Sequence, residues 1–124
     1  MTFTFNGEQH KILFEYKPMD GHRGVMCYII PAFVDTRATP LHLSSVGQGW
    51  SKCVPQDAFV KETGRKIALK RALRTTFMRL LKNDAGTYAY TWVTEAPEDF
   101  NRRAFRTAAW KAYHGRRNGH AKSA

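Results

Sequence analysis

Residues 53–73 read CVPQDAFVKETGRKIALKRAL, and the fold turns on how this stretch is read. Pro55-Gln56-Asp57 resembles a helix start, with Asp57 able to accept from free N–H groups two or three residues on. Thr63-Gly64 then kinks or restarts the helix. Beyond it Leu69, Ala72, Leu73, Thr76, Phe77 and Leu80 fall on one side at roughly 100° per residue, which predicts a long helix from about Thr63 to Lys82. Between Lys61 and Lys82 there are eight basic residues and one acid, Glu62. A buried stripe therefore backs an exposed cationic face. Such a face suits an anionic partner and offers no obvious chemistry.

Upstream, the chain reads as strands. Thr2 to Phe5, the Asn6-Gly7 turn and Lys11 to Lys17, with Ile12, Phe14 and Tyr16 alternating against Leu13 and Glu15, make a β-hairpin. After Asp20-Gly21, Gly24 to Ile30 is apolar on both faces, as a central strand would be, and Pro31 limits its pairing. A loop from Asp35 to Pro40 leads to a fourth strand over Leu41 to Cys53, where Gly47 and Gly49 mark a bulge or a close backbone approach. Downstream, Asn83-Asp84-Ala85-Gly86 ends the long helix, and Tyr88 to Val93 reads as a fifth strand or an extended crossing. Thr94-Glu95-Ala96-Pro97-Glu98-Asp99 combines a cap candidate, an early proline and acids suited to the positive helix end, so a second helix starts near Pro97 and ends near His114. The expectation is one α+β domain over residues 1–115: an antiparallel sheet of four to five strands packed by two C-terminal helices. A basic flexible tail covers residues 116–124.

A chain of 124 residues with 43% hydrophobic content can bury a core without metal or disulfide support. Its formal charge of +10 builds in attraction to nucleic acid, anionic lipid or an acidic protein. Two cysteines, Cys27 and Cys53, are too few for a disulfide scaffold. The first residues lack the pattern of a secretion signal, and the longest apolar run, Val25 to Val34, contains a proline. A reducing cytoplasm is expected, with no membrane partner.

Cys53, Pro55, Asp57, Phe59, Gly64, Arg65, Lys66, Ala68, Leu69, Arg71, Ala72 and Leu73, followed by Trp110, Ala112 and Tyr113, form a spaced set. It resembles the pattern C-x-P-x-D-x-F-x-[KR]-x-x-G-R-x-x-A-L-x-R-A-L with a closing W-x-A-Y helix of small uncharacterised bacteriophage and prophage proteins. The resemblance covers about half the chain. It implies a sheet followed by helices, and the segment Asn83 to Ala96 departs from the short connection of such proteins. It also implies a stoichiometric role against a host enzyme or defence complex, with anti-CRISPR action as one form.

Lys66, Lys70 and Arg74 lie four apart in one helical row, with Arg71 and Lys82 on its flank. A phosphate backbone matches that row. Ile67, Met78 and Leu81 among the charges suit a protein contact or a homodimer, and the plain alternative is a solvated surface. On the second helix Phe100, Ala104, Phe105, Ala108, Ala109 and Ala112 make an inward stripe. Trp110 points away beside Arg103 and Arg106, as a base-stacking anchor or as a local packing contact. Arg116 and Arg117 add long-range attraction. No enzyme activity is expected: Glu98 and Asp99 are explained by a helix start, and Cys53 has no elbow or helix N-terminus to activate it. Neither cofactor nor metal is expected, because Cys27, Cys53 and residues such as His42 lack ligand spacing. Gly47-Gln48-Gly49 lacks the lysine and helix of a phosphate loop. The partner is then a nucleic acid, a host protein or a ribonucleoprotein complex.

Overall fold

Two Asx-Gly turns set the sheet. The computed structural model describes residues 1–53, 60–92, 97 and 99–123. In it β1 (Thr2–Phe5) reverses at Asn6-Gly7 into β2 (Glu8–Met19), which reverses at Asp20-Gly21 into β3 (His22–Pro31). Both turn pairs stand at positive φ, 50° and 78° in the first and 51° and 79° in the second, the geometry that matches strand twist and that Asn, Asp and Gly adopt cheaply. Strand β4 (Gly47–Lys52) completes an antiparallel sheet of order β1-β2-β3-β4. Val25, Cys27, Tyr28, Ile29 and Ile30 are all buried, so β3 is covered on both faces as its continuous apolar run implies.

The fourth strand is shorter than expected, because Leu41–Ser44 forms one helical turn, α1. Pro40 precedes it at φ −56°, and the Ser44 hydroxyl donates back to the Pro40 carbonyl at 3.1 Å, so the turn satisfies itself locally. Gly47 and Gly49 form no bulge, since the register from Ile29↔Gly47 to Gly24↔Lys52 is unbroken. They serve close approach. Helix α2 (Lys61–Arg74) lies directly on β4, and a Cβ at Gly47 would sit 2.6 Å from the Ala72 carbonyl oxygen. One at Gly49 would overlap the Ala72 nitrogen and stand 2.5 Å from the Ala68 carbonyl oxygen. Helix α2 runs through Gly64 from Lys61, and the segment from which it would restart lies outside the described residues. Gly64 lies where a Cβ would be 3.0 Å from Val25 Cγ2, and its carbonyl accepts from the Ser51 hydroxyl at 2.9 Å. The cap assigned to Pro55-Gln56-Asp57 lies outside the described residues.

Helix α2 ends at Arg74, not Lys82. Leu69, Ala72 and Leu73 of the expected stripe are buried, joined by Ala68, and Thr76 and Phe77 are buried too, but beyond a break. The Thr75 and Thr76 hydroxyls bond back to the Arg71 and Ala72 carbonyls at 3.1 and 3.0 Å. Phe77 stands at φ 60° and its N–H donates to the Val46 carbonyl at 2.7 Å, a tertiary bond in place of the helical one. The chain then forms β5 (Met78–Lys82), so Met78, Leu81 and Lys82 leave the helix surface. Asn83 to Gly86 is a hairpin turn, with the Asn83 side chain bonded to Thr87 at 2.6 and 3.0 Å, and β6 (Tyr88–Trp92) pairs with β5 as a separate two-stranded sheet. It does not extend the main sheet.

Helix α3 (Arg102–Ser123) starts later and runs further than the expected Pro97 to His114. The cap is Asn101, whose Oδ1 accepts from the Ala104 N–H at 3.1 Å; Thr94 lies outside the described residues. Phe105, Ala109 and Tyr113 are its buried row, with Phe100, Ala108 and Ala112 half-buried against the core. Ala104 is exposed, contrary to the expected stripe. Phe105 packs edge-on against Phe3 and Phe5, with ring centroids 5.1 and 5.3 Å apart, which docks α3 on the β1 side.

Candidate nucleic-acid interface

The outward positions of α2 carry the charge because its inward positions rest on glycine and β3. Four of the nine sequence-predicted residues meet in one cleft: Lys70 and Arg74 from α2, Arg106 and Trp110 from α3, with Leu73 as part of its lining and a volume of about 250 Å³. A second cleft, of about 340 Å³, opens on the other side of α2, lined by Gln48, Gly49, Trp50, Arg71, Arg74 and Thr75. Arg74 lines both.

Trp110 does not simply point away. It is half-buried, edge-on to Tyr113 at 5.7 Å and stacked on His114 at 5.6 Å with 22° between the ring planes. Trp50, absent from the sequence-based candidates, occupies the matching place in the second cleft and is 49% exposed. In β4 the residues Gly47, Gly49 and Ser51 face α2, so Gln48, Trp50 and Lys52 face the other way. The signal for it was a tryptophan between Gly49 and Ser51 at an outward strand position. Arg71 reaches round the sheet edge, with its guanidinium carbon 5.6 Å from the Trp50 ring centroid and its Nη1 donating to the Trp50 carbonyl at 2.6 Å. The Thr75 hydroxyl donates to the Gln48 carbonyl at 2.9 Å. These two bonds cover carbonyls on the free edge of β4, the kind of edge that otherwise invites a further strand.

The remaining predicted residues are placed differently. Lys66 is drawn toward Glu62 at 3.6 Å, a carboxylate it shares with Arg65 at 3.3 Å. Arg103 is exposed on α3 and lines neither cleft. Arg116 and Arg117 belong to the continuing backbone of α3. Among the described residues none of Lys70, Arg71, Arg74, Arg103 and Arg106 pairs with a carboxylate. Arg102, beside this group, caps the end of α2 by donating to the Leu73 and Thr76 carbonyls at 2.8 Å each. Burial, and after it the positive charge of Arg106, makes protonation of Arg102 less favourable than usual.

Burial pushes the Cys27 thiol well above its ordinary range, which leaves it a neutral core group, and Cys53 is half-buried. Among the described residues no three His, Cys, Asp or Glu side chains come together as a metal site. No helix among them is long and apolar enough to cross a membrane. No family model, curated protein or solved structure matches this chain.

Proposed function

We propose that this is a small, non-enzymatic phage-type accessory protein of the bacterial host cytoplasm, acting by stoichiometric binding to a nucleic acid or to a host complex that handles one. Anti-defence inhibition, including anti-CRISPR action, is the role that the resemblance and the charged face together favour. The observation that carries it is the group of cations that have no carboxylate partner among the described residues, around the cleft of Lys70, Arg74, Arg106 and Trp110. Like charges at i,i+4, such as Lys70 and Arg74, cost about 0.2–0.5 kcal/mol in an isolated helix. A row of phosphates offsets that cost, and the flanking tryptophans offer the flat surfaces that bases stack on.

A second reading rests on Ile67, which is 38% exposed among the α2 cations: a protein-only inhibitor gripping an acidic patch through an apolar anchor. Salt separates the two. Neutralising six phosphates weakens binding by about 10³ or more between 50 and 200 mM salt, and an apolar-anchored interface loses far less. The test is affinity capture of the tagged protein from nuclease-treated and untreated bacterial lysate, beside the double variant Lys70→Glu/Arg74→Glu. Both side chains are exposed, so the fold should survive and capture should be lost. Undiminished capture by a folded double variant removes this face from the assignment.

A further inference from the structure

We infer that the partner touched directly is a single-stranded nucleic acid, with unpaired bases stacked in the two clefts on either side of α2 and a phosphate held between them at Arg74. This inference rests on the nucleic-acid reading above and adds the strandedness and the second platform. Each cleft pairs one tryptophan with arginine: Trp110 with Arg74 and Arg106, and Trp50 with Arg71 and Arg74. Each ring has one side engaged within the protein, Trp110 by His114 and Trp50 by the Arg71 guanidinium. Both remain partly exposed and line open space.

Ring faces set in recesses select against a duplex. In paired nucleic acid the faces of the bases are stacked on one another, and only their edges and the phosphates reach a protein. An unpaired strand can turn its bases out onto aromatic rings while its backbone follows a cationic ridge. Helix α2 is that ridge.

The test measures fluorescence anisotropy of labelled DNA and RNA oligonucleotides of about 12 residues, single-stranded and as duplexes of the same length, in a salt series. Single strands should bind at least about tenfold more tightly than duplex. Trp50→Ala, at an exposed position, should weaken single-strand binding by roughly 5- to 100-fold with an unchanged salt slope, whereas Arg74→Gln should lower the slope by about one. Trp110→Phe keeps a ring against Tyr113 and should give a smaller loss; thermal melts check that each variant is folded. Equal affinity for duplex and single strand, or a neutral Trp50→Ala, overturns the inference, and if Arg74→Gln still weakens binding the cationic-face reading stands without it. Failure of every oligonucleotide to bind overturns both the inference and direct nucleic-acid contact, and assigns the face to a protein surface.

Discussion

Gly49 carries the closest contact between sheet and helix, since a Cβ there would overlap the backbone of α2 at Ala72. Gly49→Ala should destabilise the protein by about 1–3 kcal/mol in urea denaturation, because a helix backbone cannot move aside as a side chain can. His10 makes a different residue-level prediction. It is buried, stacked on Phe3 at 5.3 Å and edge-on to Phe105 at 5.3 Å, and burial lowers its pKa against a smaller opposing effect of Glu8. A histidine held neutral in the fold binds fewer protons than in the unfolded chain. Its contribution is therefore complete above the ordinary value near 6.5 and is lost as pH falls from there toward the lowered one. Stability measured between pH 7.5 and 5 should decline, and His10→Phe should flatten that decline. At this scale the sequence was partly legible: the glycines announced a special position, but whether they made a bulge or a contact depended on α2, which is distant in the chain. Trp50 was hidden for the same reason, since its outward aspect follows only once Gly47 and Gly49 are known to face the helix.

The elements most readable in advance were those stabilised locally. The hairpins at Asn6-Gly7 and Asp20-Gly21 depend on residues within their own turns, and the buried row of α2 repeats with helical period. The misread boundaries are those set by partners elsewhere. Helix α2 stops at Arg74 because Val46 takes the Phe77 N–H and Arg102 takes the Leu73 and Thr76 carbonyls. The apolar period ran through Phe77 and concealed the stop. Arg102→Met should keep much of the side-chain packing yet leave those carbonyls without their charged donor, lowering the melting free energy by about 1.5–3 kcal/mol. Circular dichroism melts would detect the loss. A neutral result would mean that water replaces the cap without cost. From sequence the β5–β6 hairpin reads as the end of a helix followed by a fifth strand or an extended crossing, because β5 continues the helical pattern of α2.

For the whole molecule, the charge of +10 is unevenly used. Glu62 pairs with both Arg65 and Lys66 near the start of α2, whereas among the described residues Lys70, Arg71, Arg74, Arg103 and Arg106 have no carboxylate partner. The buried row of α3 reaches Tyr113, so a chain ending after Gly115 retains those core contacts. Such a truncation should melt near the full-length temperature. It should also associate with anionic partners more slowly at low salt, by stopped-flow, with the difference shrinking as salt rises. A large loss of stability would show instead that residues 116–124 take part in the fold. The convergence of Lys70, Arg74, Arg106 and Trp110 was foreseeable only as a set of separate candidates, because the crossing of α2 and α3 is a property of the packed molecule.

Helix α2 rests on glycine and β3 on one side and shows its cations on the other, so scaffold and recognition are written in different letters of the same segment. Of the residues lining the two clefts, Arg71 and Thr75 also tie down the strand edge. A lineage carrying this fold can therefore exchange Lys70, Arg74, Arg106 and Trp50 as its targets change, while selection for folding acts on Gly47, Gly49, Ala68 and Ala72. Divergence should run fast on one face and slowly on the other, and a changed partner need not cost the protein its shape.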